Sequence, residues 1–191
     1  MKRSSFLKMF VAVGSTIAMP FTGFAKRKEN NRNNTPFGVA AGKDRFDKPF
    51  NLFEGDTFYT KVSTKDTDGD MYIFESTRVE KRGPPLHYHY SQDEWWYILE
   101  GEFIFKIGEE SFKGKAGDSF FGPRRIPHAF AKVNEGNVRM LITFQPAGKM
   151  ELFFNSVSEG VNNTFSEKEK LEIRKDHGVK IVGPALTHQK T

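Results

Sequence analysis

Between about residues 50 and 155, apolar and polar residues alternate over short runs separated by Gly, Pro, Asp and Asn. Thr57 to Val62 is one such run, and Asp70 to Glu75 follows the turn signal Thr67-Asp68-Gly69. Glu94 to Leu99 and Glu102 to Ile107 flank Glu100-Gly101 as the arms of a hairpin would. Ser119-Phe120-Phe121, Ala129 to Val133 and Val138 to Phe144 complete the series. Strands at this spacing, with turn chemistry between them, predict an all-β sandwich or barrel. No internal repeat is visible, so one barrel is expected and not two.

Outside that stretch the period changes. Ser166-Glu167-Lys168-Glu169 has the form of a capping box and predicts a helix that carries Leu171 and Ile173 and stops at His177-Gly178. The apolar run from Val179 to Val182 then leads into Gly183-Pro184. This C-terminal helix and strand are expected to cover apolar surface of the barrel. At the other end, Met9 to Met19 is mostly apolar, follows the positive residues Lys2, Arg3 and Lys8, and is ended by Pro20. Gly23-Phe24-Ala25 offers small residues for cleavage after Ala25. These are the parts of a secretory signal, and the apolar run is about half the ~20 residues that a spanning helix needs. The expected organisation is therefore a signal peptide (1–25), a flexible linker and lead-in (26–49), the barrel (50–155) and a C-terminal helix and tail (156–191). Periplasmic or secreted placement follows, with no membrane anchor after cleavage.

Composition changes two parts of this picture. The chain has no cysteine, which removes disulfides, thiolate metal sites and cysteine nucleophiles. Of its 29 Lys and Arg, seven fall in residues 1–36 beside one acid, Glu29, leaving 22 basic against 23 acidic residues in the body. The basic character belongs to the leader, so a nucleic-acid partner is not expected.

The candidate chemistry lies in four residues. His87 and His89, two apart on a strand, point to the same face. Glu94 opens the next strand after a polar turn, and His128 stands at the start of another, after Pro123 and Pro127. Three imidazoles and one carboxylate suit one divalent transition metal (Fe, Mn, Ni, Co, Cu or Zn) and match poorly to Ca or Mg, which prefer oxygen cages. His177 and His188 lie in the tail and are left out of the set. Phenylalanine is abundant, at 20 residues. Most of it is expected to fill the barrel core, with part lining a pocket for an apolar or aromatic small molecule. Trp96 shares parity with Glu94 and is the better pocket-lining residue of the pair Trp95-Trp96. Tyr88 and Tyr90 should point away from the histidines.

Gly83-Pro84-Pro85-Leu86-His87-Tyr88-His89, Glu94 and Gly101 resemble the first cupin motif, with the H-x-H-x4-E-x6-G spacing intact. Gly117-Asp118 through Pro123 to His128 resembles the second. The resemblance implies a single jelly-roll barrel and a metal held by His87, His89, Glu94 and His128. Two features depart from the family pattern. Gly83 is separated from His87 by three residues where five are usual, and Arg125 and Lys132 replace a glycine and an asparagine of the second motif. Arg125 is the sharper departure, because a non-glycine residue does not take positive φ cheaply. The run Asp93 to Glu102 looks most like the quercetin 2,3-dioxygenase-like small monocupins. That narrower likeness implies a metal-dependent dioxygenase acting on a flavonol-like or enolic substrate, with Glu94 as both ligand and catalytic base, its pKa raised by an apolar wall. An oxygen-independent isomerase or lyase and a non-catalytic binding module are the alternatives. Exposed sheet edges make a homodimer a further hypothesis.

Overall fold

The computed structural model describes residues 32–52, 55–160 and 164–186. The expected export signal lies outside the described residues. In chain order the elements are β1 (Phe50–Leu52), β2 (Asp56–Val62), β3 (Tyr72–Arg78), β4 (Pro85–His89), β5 (Asp93–Glu100), β6 (Glu102–Ile107), β7 (Glu110–Lys115), β8 (Ser119–Gly122), β9 (His128–Lys132), β10 (Val138–Gln145), α1 (Met150–Ser158), α2 (Glu167–Asp176) and β11 (Val179–Ala185). A 3-10 turn, Thr64–Asp66, follows β2. Two antiparallel sheets result, one ordered β1-β2-β3-β10-β5-β8 and the other β11-β4-β9-β6-β7. This is a cupin-like fold, consistent with the expected jelly-roll barrel, and its alternating strands turn one face inward. In β10, Val138, Met140, Ile142 and Phe144 are buried and the residues between them are more exposed.

Two helices form where the sequence reading expects one. The missed helix, α1, carries Met150, Phe153, Phe154 and Val157, the i, i+3, i+4, i+7 pattern of one apolar face. Its first turn is tied down by Glu151, whose carboxylate accepts from Ser63 Oγ and Thr64 N at 2.8 Å each. An acid in the first helical turn also suits the positive end of the helix dipole. The capping box of α2 is present as expected: the Ser166 side chain accepts from Glu169 N, and Glu169 accepts from Ser166 N. After α2, β11 pairs with β4, placing Val179 opposite His89 and Ile181 opposite His87. The C-terminal segment therefore extends the sheet that carries two candidate ligands.

Candidate metal centre

The four expected ligands arrive from both sheets. His87 and His89 lie on β4, and His128 opens β9 opposite His87 in the register. Glu94 comes from β5 in the facing sheet. The donor atoms of His87, His89, Glu94 and His128 all lie within 4.8 Å of one another, so the cluster could hold a metal ion. His89, Glu94 and His128 are almost wholly buried, at 1%, 3% and 1% exposed.

Hydrogen bonds fix the orientation of each donor. His87 Nδ1 lies 2.8 Å from the carbonyl of Pro85, and His128 Nδ1 lies 2.9 Å from that of Ile126. A carbonyl only accepts, so both rings carry their proton on Nδ1 and leave a lone pair on Nε2, the tautomer a metal ligand requires. Nε2 of His89 and of His128 sit 3.1 and 3.0 Å from the same oxygen, Glu94 Oε2. For His128 a neutral ring then turns a lone pair toward a carboxylate oxygen. A cation between them, or a second proton on the ring, relieves that contact. His89 Nδ1 is buried with no hydrogen-bond partner among the described residues. The donor set fits a borderline divalent transition metal.

The electrostatics follow from this packing. Burial pushes the His87 pKa down to about 3, and the neighbouring His128 and His89 reinforce the shift. His87 is thus a neutral imidazole at pH 7. For Glu94, burial favours the neutral acid, but the close approach of the His128 and His89 rings to its carboxylate outweighs it. The carboxyl is held well below its usual range. The resemblance implies a raised pKa for a catalytic base; in this arrangement the direction is the opposite, because the two imidazoles beside the carboxylate outweigh the apolar surroundings.

Trp96 is also placed differently from expectation. It points inward with Glu94, as parity requires, but it stands behind the site and not on the pocket wall. Its indole Nε1 donates to Glu94 Oε1 at 2.9 Å, leaving Oε2 for the histidines. Its ring packs against His128 at 5.2 Å between centroids. Sequence parity finds such a residue only as inward-facing; which neighbour it bonds is a tertiary fact.

Two residues of the turn before His128 complete the frame. Arg125 adopts φ +65, the left-handed conformation that the family's glycine would take. The strain is offset by Arg125 N donating to His89 O at 2.7 Å, with Nε donating to Tyr90 O at 3.3 Å. Arg124 donates to Asp93 through N, Nε and Nη2 at 2.8, 3.0 and 2.6 Å. The loop that delivers His128 is thus clamped to the turn that carries His89 and Glu94.

His87, His89 and Glu94 face a cavity of about 290 Å³. Its walls are Phe58, Phe74, Ile142 and Phe144 from one sheet and Pro84, Pro85, Phe130, Val179 and Ile181 from the other. Met150, Phe153, Phe154 and Val157 of α1 and Ile173 of α2 close it. The C-terminal segment therefore does more than cover apolar surface, because it supplies a wall of the cavity. Of the phenylalanines on the strands, Phe130 and Phe144 are among those that line the cavity. Phe103 and Phe105 are in the core, at 0% and 1% exposed, and Phe121 is exposed at 55%.

Comparison with known proteins agrees with this geometry. Residues 74–144 match the family model described as Cupin domain. The match spans β4 to β9 and all four clustered residues. Among solved structures it is similar to an RmlC-like cupin from Shewanella frigidimarina, with a TM-score of 0.50 and 18% identity, covering 61% of this chain and 96% of that one. A protein of Thermotoga maritima described as a predicted oxalate decarboxylase gives a TM-score of 0.51 at 16% identity, covering 58% and 98%. At these identities the likeness concerns the fold. An uncharacterized protein of Methanocaldococcus jannaschii is 39% identical over 57 residues, which span 30% of this chain and 44% of that relative.

Proposed function

We propose that this cupin is an exported, metal-dependent dioxygenase acting on an aromatic or enolic, flavonol-like small molecule. The observation that carries the reading is the position of three of the four clustered donors on the wall of a largely apolar cavity. His87, His89, Glu94 and His128 would hold a divalent transition metal, which when bound supplies Lewis acidity and, for a redox-active ion, electron transfer to O₂. The chain's own contributions are distinct. Trp96 fixes the Glu94 carboxylate, the Pro85 and Ile126 carbonyls fix the histidine tautomers, and the phenylalanine walls exclude water and orient a flat substrate.

The test is metal content of the purified protein by plasma mass spectrometry, with oxygen uptake over a flavonol panel. About one transition metal per chain is expected, lost in His128→Ala and Glu94→Ala, together with oxygen consumption on at least one substrate. A chain that takes up none of the six metals sinks the reading. The lowered pKa of Glu94, which makes it a weaker base, favours a second reading, a binding module whose metal orients a ligand without turnover. Metal uptake with no oxygen consumption would select it. We also propose a homodimer, formed across the sheet edges; a monomeric mass by light scattering would reject it.

A further inference from the structure

The cavity that faces the metal centre carries three cationic side chains on walls that are otherwise apolar: Arg78, Lys170 and Arg174. Glu94 is the one carboxylate on those walls, and its charge is already engaged by His89 and His128. Arg78 ends β3 and is only 3% exposed. Its Nη2 lies 2.7 Å from Asp56 Oδ2 and donates to Arg82 O at 3.2 Å. Its Nε–H, however, is buried with no hydrogen-bond partner among the described residues. A buried guanidinium with a free donor is costly unless something accepts from it. Lys170 and Arg174 stand four residues apart on one face of α2. Lys170 is paired with the exposed Glu167, whose carboxylate also feels the charge of Arg174.

Register places this positive end relative to the metal cluster. The Arg78 guanidinium lies over the Phe130 ring, 5.0 Å from its centroid. Phe130 is two residues beyond His128 on β9 and shares its face, a step of roughly 7 Å along the strand. A ligand with an oxygen at the metal cluster and an anionic group one ring-width away would meet both.

We propose that the cavity takes a small aromatic or enolic carboxylic acid, its carboxylate held by Arg78 Nε with Lys170 and Arg174. The proposal deepens the metal-dependent reading and rests on it for the orientation of the ligand. It narrows the substrate from a neutral flavonol-like molecule to an organic anion.

The test titrates the full chain, loaded with Zn²⁺, with 3,4-dihydroxybenzoate and with catechol, which share the diol and differ in the carboxylate. The acid is expected to bind roughly tenfold tighter or more, the size of one charged hydrogen bond. That ratio should fall toward one in the surface pair Lys170→Ala with Arg174→Ala, and fall in Arg78→Lys, which keeps the charge on Asp56 paired while removing Nε. Equal binding of acid and catechol by the wild type, or a ratio unchanged in both variants, would overturn the proposal. If the chain takes up no Zn²⁺, the metal reading fails by itself, and benzoate against phenol then tests the anion site alone. Preference for benzoate sustains that site; no preference ends it.

Discussion

The barrel interior has two halves built from the same residue type, and only one of them is hollow. In the packed half, Phe105 stacks on Phe120 at 4.3 Å and meets Trp96 at 5.5 Å. Two glycines let these rings approach the strands. A Cβ at Gly114 would stand 2.4 Å from the Phe120 ring, and one at Gly122 would stand 2.6 Å from the Trp96 ring. In the hollow half, Phe58 stacks on Phe74 at 4.6 Å, and Phe154 of α1 meets Phe74 at 5.3 Å. There the facing strand, β4, and Pro84 just before it present Pro84, Pro85 and His87 to the cavity in place of large rings. The β4–β9 pairing rests on the single register pair His87 and His128, and β11 and the helices complete the enclosure. Phenylalanine content therefore does not decide between core and pocket; what stands opposite does.

The sharpest way to break the comparison is to remove one ring from each half. Phe105→Ala, in the packed half, should destabilise by about 3–5 kcal/mol, the cost of a buried Phe replaced by a cavity. Phe154→Ala, on a half-buried residue beside space already open, should cost about 1–2 kcal/mol and enlarge the cavity. Urea denaturation of both variants measures the difference. Equal losses would mean that the cavity is filled by packing and is not a binding space.

The boundary between the halves is Trp96, and Trp96→Phe tests it. The substitution keeps an aromatic ring, though a smaller one, and deletes the N–H that donates to Glu94 Oε1. A buried carboxylate oxygen left without its donor costs about 1–3 kcal/mol. Loss of such an outer partner typically weakens a metal site by about 10–100-fold. Competition titration with a chelator reads the second effect. Unchanged metal affinity would show that packing alone orients Glu94.

Legibility from sequence follows the same division. The candidate cluster was readable because strand parity and motif spacing are local: His87, His89, Glu94 and His128 lie together. The strand series was readable where one face is buried, as in β10. It failed for β7, where every residue but Gly114 is exposed and no alternation exists. Helix α1 was missed although Met150, Phe153, Phe154 and Val157 have helical spacing, because the run sits at the end of a β-rich stretch. The roles of Trp96, Arg78 and the C-terminal wall depend on which strand lies opposite, and no local pattern carries that. The glycine rule failed at Arg125 for a related reason, since the carbonyls of His89 and Tyr90 that hold it are distant in sequence.

The outer face of the hollow half carries a smaller, pH-dependent effect. Glu75 on β3 is bridged by Arg139 Nε of β10 at 2.8 Å and by Lys61 Nζ of β2 at 3.1 Å. Three strands of the cavity wall are thereby tied together from outside. Burial alone would raise the Glu75 pKa, but the hydrogen bonds from Arg139 and Lys61 lower it below its ordinary value. A carboxyl depressed in the folded state binds its proton more readily when unfolded. Its stabilisation is complete above the ordinary carboxyl pKa and is lost as pH falls through the depressed one. Asp56, raised by burial, shifts the acid limb in the opposite sense, so the difference between wild type and variant is the quantity to follow. Glu75→Gln should cost about 1 kcal/mol at pH 7 and show a shallower loss of stability below about pH 4.5. Metal content should be unchanged, since the bridge lies on the opposite face of the sheet from the cluster. A variant as acid-sensitive as the wild type would mean that the bridge does not brace the wall, leaving the enclosure of the cavity to α1, α2 and β11.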